Sequence, residues 1–226
     1  MNSHYNVIIV AGGTGSRMQS TMPKQFIEIK GKPIIIHTIE KFIEFDEFIN
    51  IIVCVHKDYM SDANFILAEY FPQRNIQMVI GGETRFYSVK NGLNCITNMN
   101  DVVGIHDAAR PFVSVDTIKR CFETAAKKGN AIPVSPIFES LRMVTNGINK
   151  AVSRDDFKVV QTPQCFKTNM LQKAFEVEYK NSFTDDATVF ENAGRMVSLV
   201  EGNIENIKIT LPSDLLIAEA LLKNKV

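Results

Sequence analysis

The chain has 226 residues, of which 25 are basic and 25 are acidic, so its formal net charge at pH 7 is zero. This balance argues against a surface that binds nucleic acid or anionic membranes, because such a surface needs a net positive field. Hydrophobic residues make up 45% of the chain and charged residues 22%, which are ordinary globular proportions and exclude disordered and fibrous designs.

The first 130 residues alternate short β-branched runs with longer amphipathic segments, a pattern typical of a parallel sheet covered by helices. We predict strands at 6–10, 50–55, 76–80 and 102–106, and helices at 33–45, 58–71, 84–97 and 115–128. Pro33 suits the first turn of a helix, and Ser114 is placed to cap another.

The rhythm changes after Asn130, where a turn-rich, strand-like stretch contains Asn146-Gly147, a dipeptide favoured in β-hairpin turns. We interpret residues 136–159 as an inserted β-arm. The alternation then resumes, with predicted helices at 168–179, 185–193 and 212–222 and strands at 196–200 and 206–209. The prediction is one α/β domain over residues 1–226, a three-layer sandwich with a mostly parallel sheet and a protruding β-arm.

No apolar stretch approaches the roughly 20 residues that span a bilayer, and no basic segment precedes the short apolar run at the N-terminus. We therefore expect a cytoplasmic protein that binds neither membrane nor nucleic acid. The four cysteines are widely spaced and lack metal-binding spacing, so we predict buried free thiols.

The segment VAGGTGSRMQSTMPKQ carries three glycines and two cations directly after the first predicted strand. Ligands of open parallel sheets bind beyond the carboxyl ends of the strands, so this loop is placed to line a site. Its glycines let backbone N–H groups approach an anion, and Arg17 with Lys24 would suit a polyphosphate. The P-loop and dinucleotide fingerprints do not fit, because Lys-Ser/Thr is missing and Met18 stands where the third glycine belongs. A glycine-rich surface turn with solvated charges is the alternative.

Three further segments are predicted to reach the same edge of the sheet. GGETRFYSVKNGL brings Glu83, Arg85 and Ser88 there, although the segment could also be an ordinary helix N-terminus with Thr84 as its cap. HDAARPF ends a strand on Asp107, whose carboxylate could hold a ribose hydroxyl or Mg²⁺, or simply form a turn. ENIKIT places Lys208 in an apolar segment, where a charge is usually paired or faces a ligand.

The chain contains, in this order, AGGTGSRM, PKQ, GGETRFYSV, HDAARPF, VSRDDFKVVQTPQ, FTDDA and ENIKIT. This combination, spread from Ala11 to Thr210, resembles the cytidylyltransferases that activate polyol phosphates, above all the 2-C-methyl-D-erythritol 4-phosphate cytidylyltransferase family. The resemblance implies a Rossmann-like nucleotidyltransferase fold and transfer of CMP from CTP to the polyol phosphate with release of pyrophosphate. It also implies Mg²⁺ as a cofactor and a homodimer that interlocks through the β-arm.

The resemblance assigns roles to individual residues. The residues at the reacting phosphates are Arg17, Lys24 and Lys208. The nucleotide-binding residues are Ala11, Gly12, Gly13, Gly15, Gly82, Glu83, Ser88 and Asp107, and Asp107 is also the candidate metal ligand. The polyol-phosphate residues are Arg110, Thr162 and Arg154, the last reaching into the neighbouring subunit.

One segment departs from the family pattern. Pro136-Ile137-Phe138-Glu139 stands where many members carry Asp-Thr-x-Lys, and Ile137 cannot donate the threonine's hydrogen bond to the polyol phosphate. Cytidylyltransferases of ribitol 5-phosphate or of other sugar phosphates are therefore an alternative. A nucleotide-binding regulatory protein without turnover is an alternative of another class, whereas the incomplete dinucleotide fingerprint disfavours an NAD-dependent reductase.

Overall fold

The computed structural model describes residues 4–13 and 22–223, in which twelve strands and seven α-helices are assigned. The strands are β1 (Tyr5–Ala11), β2 (Glu28–Ile29), β3 (Lys32–Pro33), β4 (Asn50–Val55), β5 (Gln77–Ile80), β6 (Val102–Asp107), β7 (Asn130–Ser135), β8 (Leu141–Thr145), β9 (Ile148–Val152), β10 (Val159–Val160), β11 (Gln164–Lys167) and β12 (Leu199–Glu201). The helices are α1 (Ile34–Phe45), α2 (Met60–Tyr70), α3 (Arg85–Leu93), α4 (Val115–Lys128), α5 (Thr168–Ala174), α6 (Asp186–Asn192) and α7 (Pro212–Lys223). None of these helices is long and apolar enough to cross a membrane.

Eight of the strands form the central sheet. The neighbours β6, β1, β4 and β5 all run in one direction, while β11 lies antiparallel between β6 and β7. At the far side, β7 also pairs with β10 in antiparallel and with β12 in parallel orientation. The carboxyl ends of the four parallel neighbours therefore meet at one edge of the sheet, as the sequence predicted.

The run VIIV in β1 is buried on both faces of the sheet, because successive side chains of a strand point to opposite faces. Val7 and Ile9 pack into one core cluster with residues of α1, α2 and α4, whereas Ile8 packs into a second cluster with residues of α3, α5 and α6. Helices therefore cover both faces, and the prediction of a three-layer α/β fold with a mostly parallel sheet is confirmed. A third, smaller cluster joins α7 to the segment around Phe112.

Local signals in the sequence determine several element boundaries. The side chain of Ser114 accepts the N–H of Thr117 at 3.1 Å and caps α4, as predicted. The same helix ends at Gly129, whose φ of 96° is in the left-handed region that favours glycine. Pro33 lies directly before α1. Its lack of an N–H costs no hydrogen bond there, because the first N–H groups of a helix have no partner within the helix.

The inserted segment contains a hairpin in which β8 and β9 form a two-stranded sheet of their own. Asn146 and Gly147 connect them with φ angles of 51° and 80°, the positive values that a type I′ turn requires. The hairpin exposes apolar side chains, among them Val144 and Ile148. The flanking strands β7 and β10, in contrast, belong to the central sheet.

Four predicted elements differ from the structure, one of them the helix predicted at 84–97, which ends at Leu93. The segment predicted as a strand at 206–209 is extended but pairs with no strand among the described residues. Its backbone groups form other hydrogen bonds instead: Ile209 N–H donates to the carbonyl of Ala109 at 2.9 Å, and the carbonyl of Asn206 accepts from the guanidinium of Arg110 at 2.8 Å. The helix predicted at 168–179 ends at Ala174, after which Phe175 enters the core and stacks on Phe86. The strand predicted at 196–200 is Leu199–Glu201.

Candidate active site

A cleft of about 730 Å³ opens at the carboxyl ends of β1, β4, β5 and β6. The ends of these strands and the loops that leave them supply most of its lining, namely residues 10–13, 56–57, 81–85 and 107–109. Lys24, Gln25, Ser88, Lys208 and Thr210 complete it among the described residues. In the sheet, β1 lies between β4 and β6, and the cleft lies at the end of β1. Ligands of open parallel sheets bind at such a point, where neighbouring strands lie on opposite sides of the first one.

Gly12 and Gly13, the described part of the first loop, line this cleft. Among the described residues, a Cβ at Gly13 would meet nothing within 4 Å, and one at Gly12 would meet only Ser88 Oγ, at 3.4 Å. Packing against the described residues therefore does not require glycine at position 13, whereas close approach of a ligand to the backbone would. Gly15 and Arg17, for which binding and catalytic roles were predicted, lie outside the described residues.

The segment Pro-Lys-Gln is fixed against two neighbouring parts of the site. Gln25, almost fully buried, donates from Nε2 to the carbonyl of Ala11 at 2.6 Å. Lys24 Nζ donates to the carbonyl of Ile209, the residue that follows Lys208, at 2.8 Å. These bonds hold a cation at the cleft beside both the first loop and the ENIKIT segment.

The loop after β5 has a shape that depends on one serine and one glycine. Ser88 Oγ accepts the N–H of Gly82 at 3.0 Å and donates to the carbonyl of Thr84 at 3.0 Å. A Cβ on Gly82 would lie 2.2 Å from Cβ of Tyr87, so a side chain there would force the loop to move. Gly82 and Glu83 line the cleft as predicted, and the hydroxyl of Ser88 holds their loop in place.

Asp107 is the centre of a cluster of charges at the end of β6. Its carboxylate lies 3.0 Å from Lys208 Nζ, 3.3 Å from Arg110 Nε and 3.6 Å from Arg85 Nε. Burial alone would raise the pKa of the Asp107 carboxyl, but these three cations hold it well below its usual range. Arg85 is also paired with the buried Asp186, so the direct ion pairs of the cluster set three positive charges against two negative ones, and a surplus of one positive charge could receive anions.

A second cleft of about 230 Å³ adjoins the first and shares Arg85, Asp107 and Lys208 with it. Its other lining residues among those described are Arg110, Val160, Gln161, Thr162, Gln164, Thr184 and Asp185. The charge cluster therefore borders two spaces at once. Two anionic ligands could approach it from the two clefts.

Arg85 was predicted to reach this edge of the sheet without a specific role, and no role was predicted for Lys57 or Gln25, which also line the cleft. Arg85 makes a bidentate pair with the buried Asp186, with nitrogen–oxygen distances of 2.9 and 2.7 Å. Burial works against its charge, yet the neighbouring carboxylates raise the pKa of Arg85 and keep it protonated. No local sequence pattern indicates the pairing of Arg85 with Asp186, because the two residues are distant in the sequence. Lys57, in contrast, closely follows the carboxyl end of β4, and the rule that ligands bind beyond the carboxyl ends of strands would have indicated it.

Of the predicted polyol-phosphate residues, Arg110 and Thr162 line the second cleft. Arg154 lines neither cleft of the described chain. It begins a short 3₁₀ turn after β9, and its guanidinium donates to the carbonyl of Phe138. The second cleft of one chain is therefore lined without Arg154.

The residues around Asp107 do not fit a metal ion held by the protein alone. Mg²⁺ in proteins is usually bound by one or two carboxylates together with substrate phosphates. The Asp107 carboxylate is already engaged by three cations, and the described residues include no group of three or more His, Cys, Asp or Glu side chains that could hold a metal.

The chain is similar to known proteins over nearly its whole length. A family model described as 2-C-methyl-D-erythritol 4-phosphate cytidylyltransferase matches residues 5–224. Proteins of that name from Phocaeicola vulgatus and Bacteroides fragilis are 46% and 47% identical to it, over 98% and 95% of this chain and 100% and 98% of theirs.

Solved structures agree with the sequence comparison. The 4-diphosphocytidyl-2C-methyl-D-erythritol synthase of Anaerococcus prevotii superimposes with a TM-score of 0.83 at 29% identity, covering 97% of this chain and 96% of that one. The 2-C-methyl-D-erythritol 4-phosphate cytidylyltransferase of Francisella tularensis gives a TM-score of 0.79 at 35% identity, covering 96% and 99%.

Proposed function

The chain belongs to the 2-C-methyl-D-erythritol 4-phosphate cytidylyltransferase family, and we propose that the clefts around Asp107 are where it transfers CMP from CTP to this polyol phosphate. The resemblance found in the sequence is thereby confirmed, and the chain is a nucleotidyltransferase of isoprenoid precursor synthesis. The observation that carries the assignment of the site is the cluster of Lys208, Arg85 and Arg110 around one carboxylate, between two adjoining clefts.

Electrostatic repulsion is the main obstacle to this reaction. A phosphate monoester, mostly dianionic near neutral pH, must approach the α-phosphorus of CTP, which carries several negative charges of its own. Two unit charges 4 Å apart repel by about 4 kcal/mol at an effective dielectric constant of about 20, and several such pairs act together. A fixed surplus of positive charge between two binding spaces lowers this cost before the reactants meet.

We place CTP in the larger cleft. Its triphosphate would lie along Gly12 and Gly13 beside Lys24, and its base and ribose at Gly82 and Glu83. Three features support this placement: Gly12 and Gly13 line the cleft, Lys24 is held beside them, and position 82 has no room for a side chain. Arg17, Gly15 and Ala11 belong to the same loop in the sequence and share its proposed role.

We place the polyol phosphate in the second cleft, against Arg110 and Thr162. A phosphate oxygen then forms the new bond to the α-phosphorus of CTP, while the bond from that phosphorus to the oxygen bridging to the β-phosphorus breaks. The electron pair leaves with pyrophosphate. Lys208, which borders both clefts, neutralises charge on the α-phosphoryl oxygens, and no covalent nucleophile is needed because the attacking oxygen arrives deprotonated.

We propose that Mg²⁺ enters with CTP, since triphosphate oxygens supply ligands that the described residues lack. Asp107 then acts as the counter-ion that holds the cations in position. We also propose that the protein works in the cytoplasm.

We propose that the hairpin of β8 and β9 joins two copies into a homodimer. The hairpin exposes Val144 and Ile148 at 68% and 77% of their surface, and apolar side chains of this size favour contact with a partner. Arg154 follows the hairpin and lies apart from both clefts of its own chain, so it is placed to serve the acceptor site of the second copy.

An acceptor screen tests the proposed function. Purified protein is incubated with CTP and Mg²⁺ and with 2-C-methyl-D-erythritol 4-phosphate, ribitol 5-phosphate or other sugar phosphates, and pyrophosphate release is measured. The expected result is highest kcat/KM with 2-C-methyl-D-erythritol 4-phosphate, despite Ile137 in the arm. A preference for ribitol 5-phosphate would overturn the acceptor, and CTP binding without pyrophosphate release would indicate a regulatory protein.

A further inference from the structure

His106 is completely buried directly beside the charge cluster. It is not among the described residues that line either cleft, so a substrate there would not touch it. One side of its ring meets the edge of Phe42, with ring centres 4.9 Å apart. Both ring nitrogens nevertheless have partners in segments that carry site residues.

The partners of the ring define its protonation. Nε2 lies 3.1 Å from the carbonyl oxygen of Arg110, which can only accept, so Nε2 carries a proton. Burial lowers the pKa of His106 to about 4, which leaves Nδ1 unprotonated near neutral pH. Nδ1 therefore accepts from the hydroxyl of Thr162 at 3.0 Å, and the Thr162 oxygen in turn accepts the N–H of Asp107 at 3.2 Å.

These bonds connect segments that are distant in the sequence. The carbonyl of Arg110 and the N–H of Asp107 are the two ends of the turn after β6, and Thr162 belongs to the segment between β10 and β11. Asn206, also fully buried, extends the connection by donating to the carbonyl of Thr162 at 2.9 Å, while its own carbonyl accepts from Arg110 at 2.8 Å. The second cleft is therefore bounded by segments that meet at one imidazole.

We propose that His106 is a positioning residue for the acceptor: its neutral ring, protonated on Nε2, holds Thr162 and the turn from Asp107 to Arg110 in the arrangement that receives the acceptor phosphate. The inference rests on the proposed function, since it concerns the second substrate of that reaction. A substitution of His106 is expected to impair use of the acceptor more than binding of CTP, because its ring bonds to Arg110 and Thr162, which line the second cleft.

The test compares His106→Phe with Thr162→Val, with the double variant and with a matched control. His106→Phe keeps a planar ring against Phe42 and removes both hydrogen bonds, and Thr162→Val removes the hydroxyl while it keeps the side-chain shape. The control is His37→Phe, because His37 is a half-buried histidine of α1 whose Nε2 lies 3.1 Å from the carbonyl of Ile29 and which lines neither described cleft. For each protein, kcat/KM for the acceptor, Kd for CTP and Tm are measured.

The expected result is that His106→Phe lowers kcat/KM for the acceptor by about 10-fold to 100-fold while Kd for CTP changes by less than about threefold. The double variant should lose no more than the larger single effect, because both changes break one connection. His37→Phe should match the wild type. Acceptor use within about threefold of wild type in His106→Phe, equal losses for acceptor and CTP, or independent effects in the double variant would each overturn the inference.

Two further measurements cover a variant that folds poorly. His106→Asn keeps a polar atom near the position of Nδ1 and His106→Gln keeps one near Nε2, so His106→Asn should retain more acceptor use if the bond to Thr162 matters. Hydrogen exchange at the Asp107 amide should accelerate at least about tenfold in His106→Gln, which loses the bond to Thr162, and in Thr162→Val, and should not change in His37→Phe. Unchanged exchange in Thr162→Val would overturn the inference. Failure of the proposed function looks different, because wild type and His37→Phe would then release no pyrophosphate.

Discussion

Lys208 Nζ lies 3.0 Å from Oδ2 of Asp107, and this ion pair stands at the boundary of the two clefts. The lysine is the most exposed of the three cations around that carboxylate, with 38% of its side chain accessible. A partly exposed ammonium group beside a buried anion can turn toward an incoming phosphate while Asp107 keeps it near the reacting atoms. The pair therefore keeps a positive charge close to the place where negative charge develops during the reaction.

Removing this ammonium group should reduce turnover more than stability. Lys208→Ala is expected to lower kcat by about 10²-fold or more, because a donor to developing charge is lost. Arg17→Ala and Lys24→Ala should behave in the same way. Pyrophosphate release measures turnover, and Lys119→Ala on the exposed surface of α4 is the control. Near-normal kcat in Lys208→Ala, with Tm unchanged, would remove Lys208 from the mechanism.

Two glycines of the larger cleft should respond differently to the same substitution. Gly82→Ala forces the loop to move, because its Cβ would lie 2.2 Å from Cβ of Tyr87, and should lower CTP affinity by at least about tenfold along with Tm. The Cβ of Gly13→Ala would meet none of the described residues within 4 Å, so Tm should hold while CTP affinity falls. Isothermal titration with CTP and thermal unfolding measure both quantities. Wild-type CTP affinity in Gly82→Ala would show that this loop does not bind the nucleotide.

Arg85 should contribute to stability as well as to the site. Arg85→Met leaves the buried carboxylate of Asp186 without its bidentate partner, and we expect a loss of about 3–5 kcal/mol in the free energy of unfolding. Arg120→Met, which removes one surface hydrogen bond to the carbonyl of Glu201, should cost less than about 1.5 kcal/mol. Urea denaturation gives both values. Equal costs for the two variants would show that the buried pair is not needed for stability.

The stability of the protein should depend on pH through His106. Its pKa is lowered to about 4 in the folded chain by burial, against about 6.5 in the unfolded chain. As the pH falls from 6.5 to 4, the unfolded chain binds a proton that the folded chain does not, so the free energy of unfolding decreases. Asp107 stays ionised over this range because its own pKa lies far lower.

The variant His106→Phe isolates this contribution, since it lacks the titrating ring. Between pH 7 and pH 4, the free energy of unfolding of the wild type should shift relative to that of His106→Phe by on the order of 3 kcal/mol, in favour of the variant. Urea denaturation at four pH values is sufficient. Parallel curves for the two proteins would mean that His106 is not held neutral in the folded state.

The proposed arm contact predicts complementation between two defective proteins. Arg154→Ala should chiefly raise KM for the acceptor, and mixing it with Lys208→Ala should produce heterodimers in which one of the two sites has both residues. With random association into two-fold symmetric dimers, about a quarter of all sites would then be intact. Pyrophosphate release after unfolding and refolding the mixture measures the recovery. Activity no higher than that of Arg154→Ala alone would place the arginine within its own chain.

Local patterns in the sequence predict the framework of the site well. The β-branched runs gave the four parallel strands because burial on both faces requires such residues, and the strand-end rule then predicted a cleft at Gly12, Gly82 and Asp107. Asn146-Gly147 predicted its hairpin because few other dipeptides adopt two successive positive φ angles. These are properties of neighbouring residues, so they can be inferred without the fold.

Contacts between distant segments could not be predicted in this way. Lys208 was expected on a strand, but side chains and a carbonyl from other segments satisfy the backbone there. Likewise, the hydroxyl of Thr162 bonds to His106 and the amide of Asp107, and Arg85 pairs with Asp186, only because the chain folds these parts together. Neither the periodicity of hydrophobic residues nor the helix and strand propensities of single residues carry information about such partners.

The most direct test of the central claim is a crystal structure with CTP and Mg²⁺. We expect the triphosphate within hydrogen-bonding distance of the backbone at Gly12 and Gly13 and of Lys24, with the cytosine beside Gly82 and the α-phosphate facing Lys208. A nucleotide bound away from the carboxyl end of β1 would contradict the account.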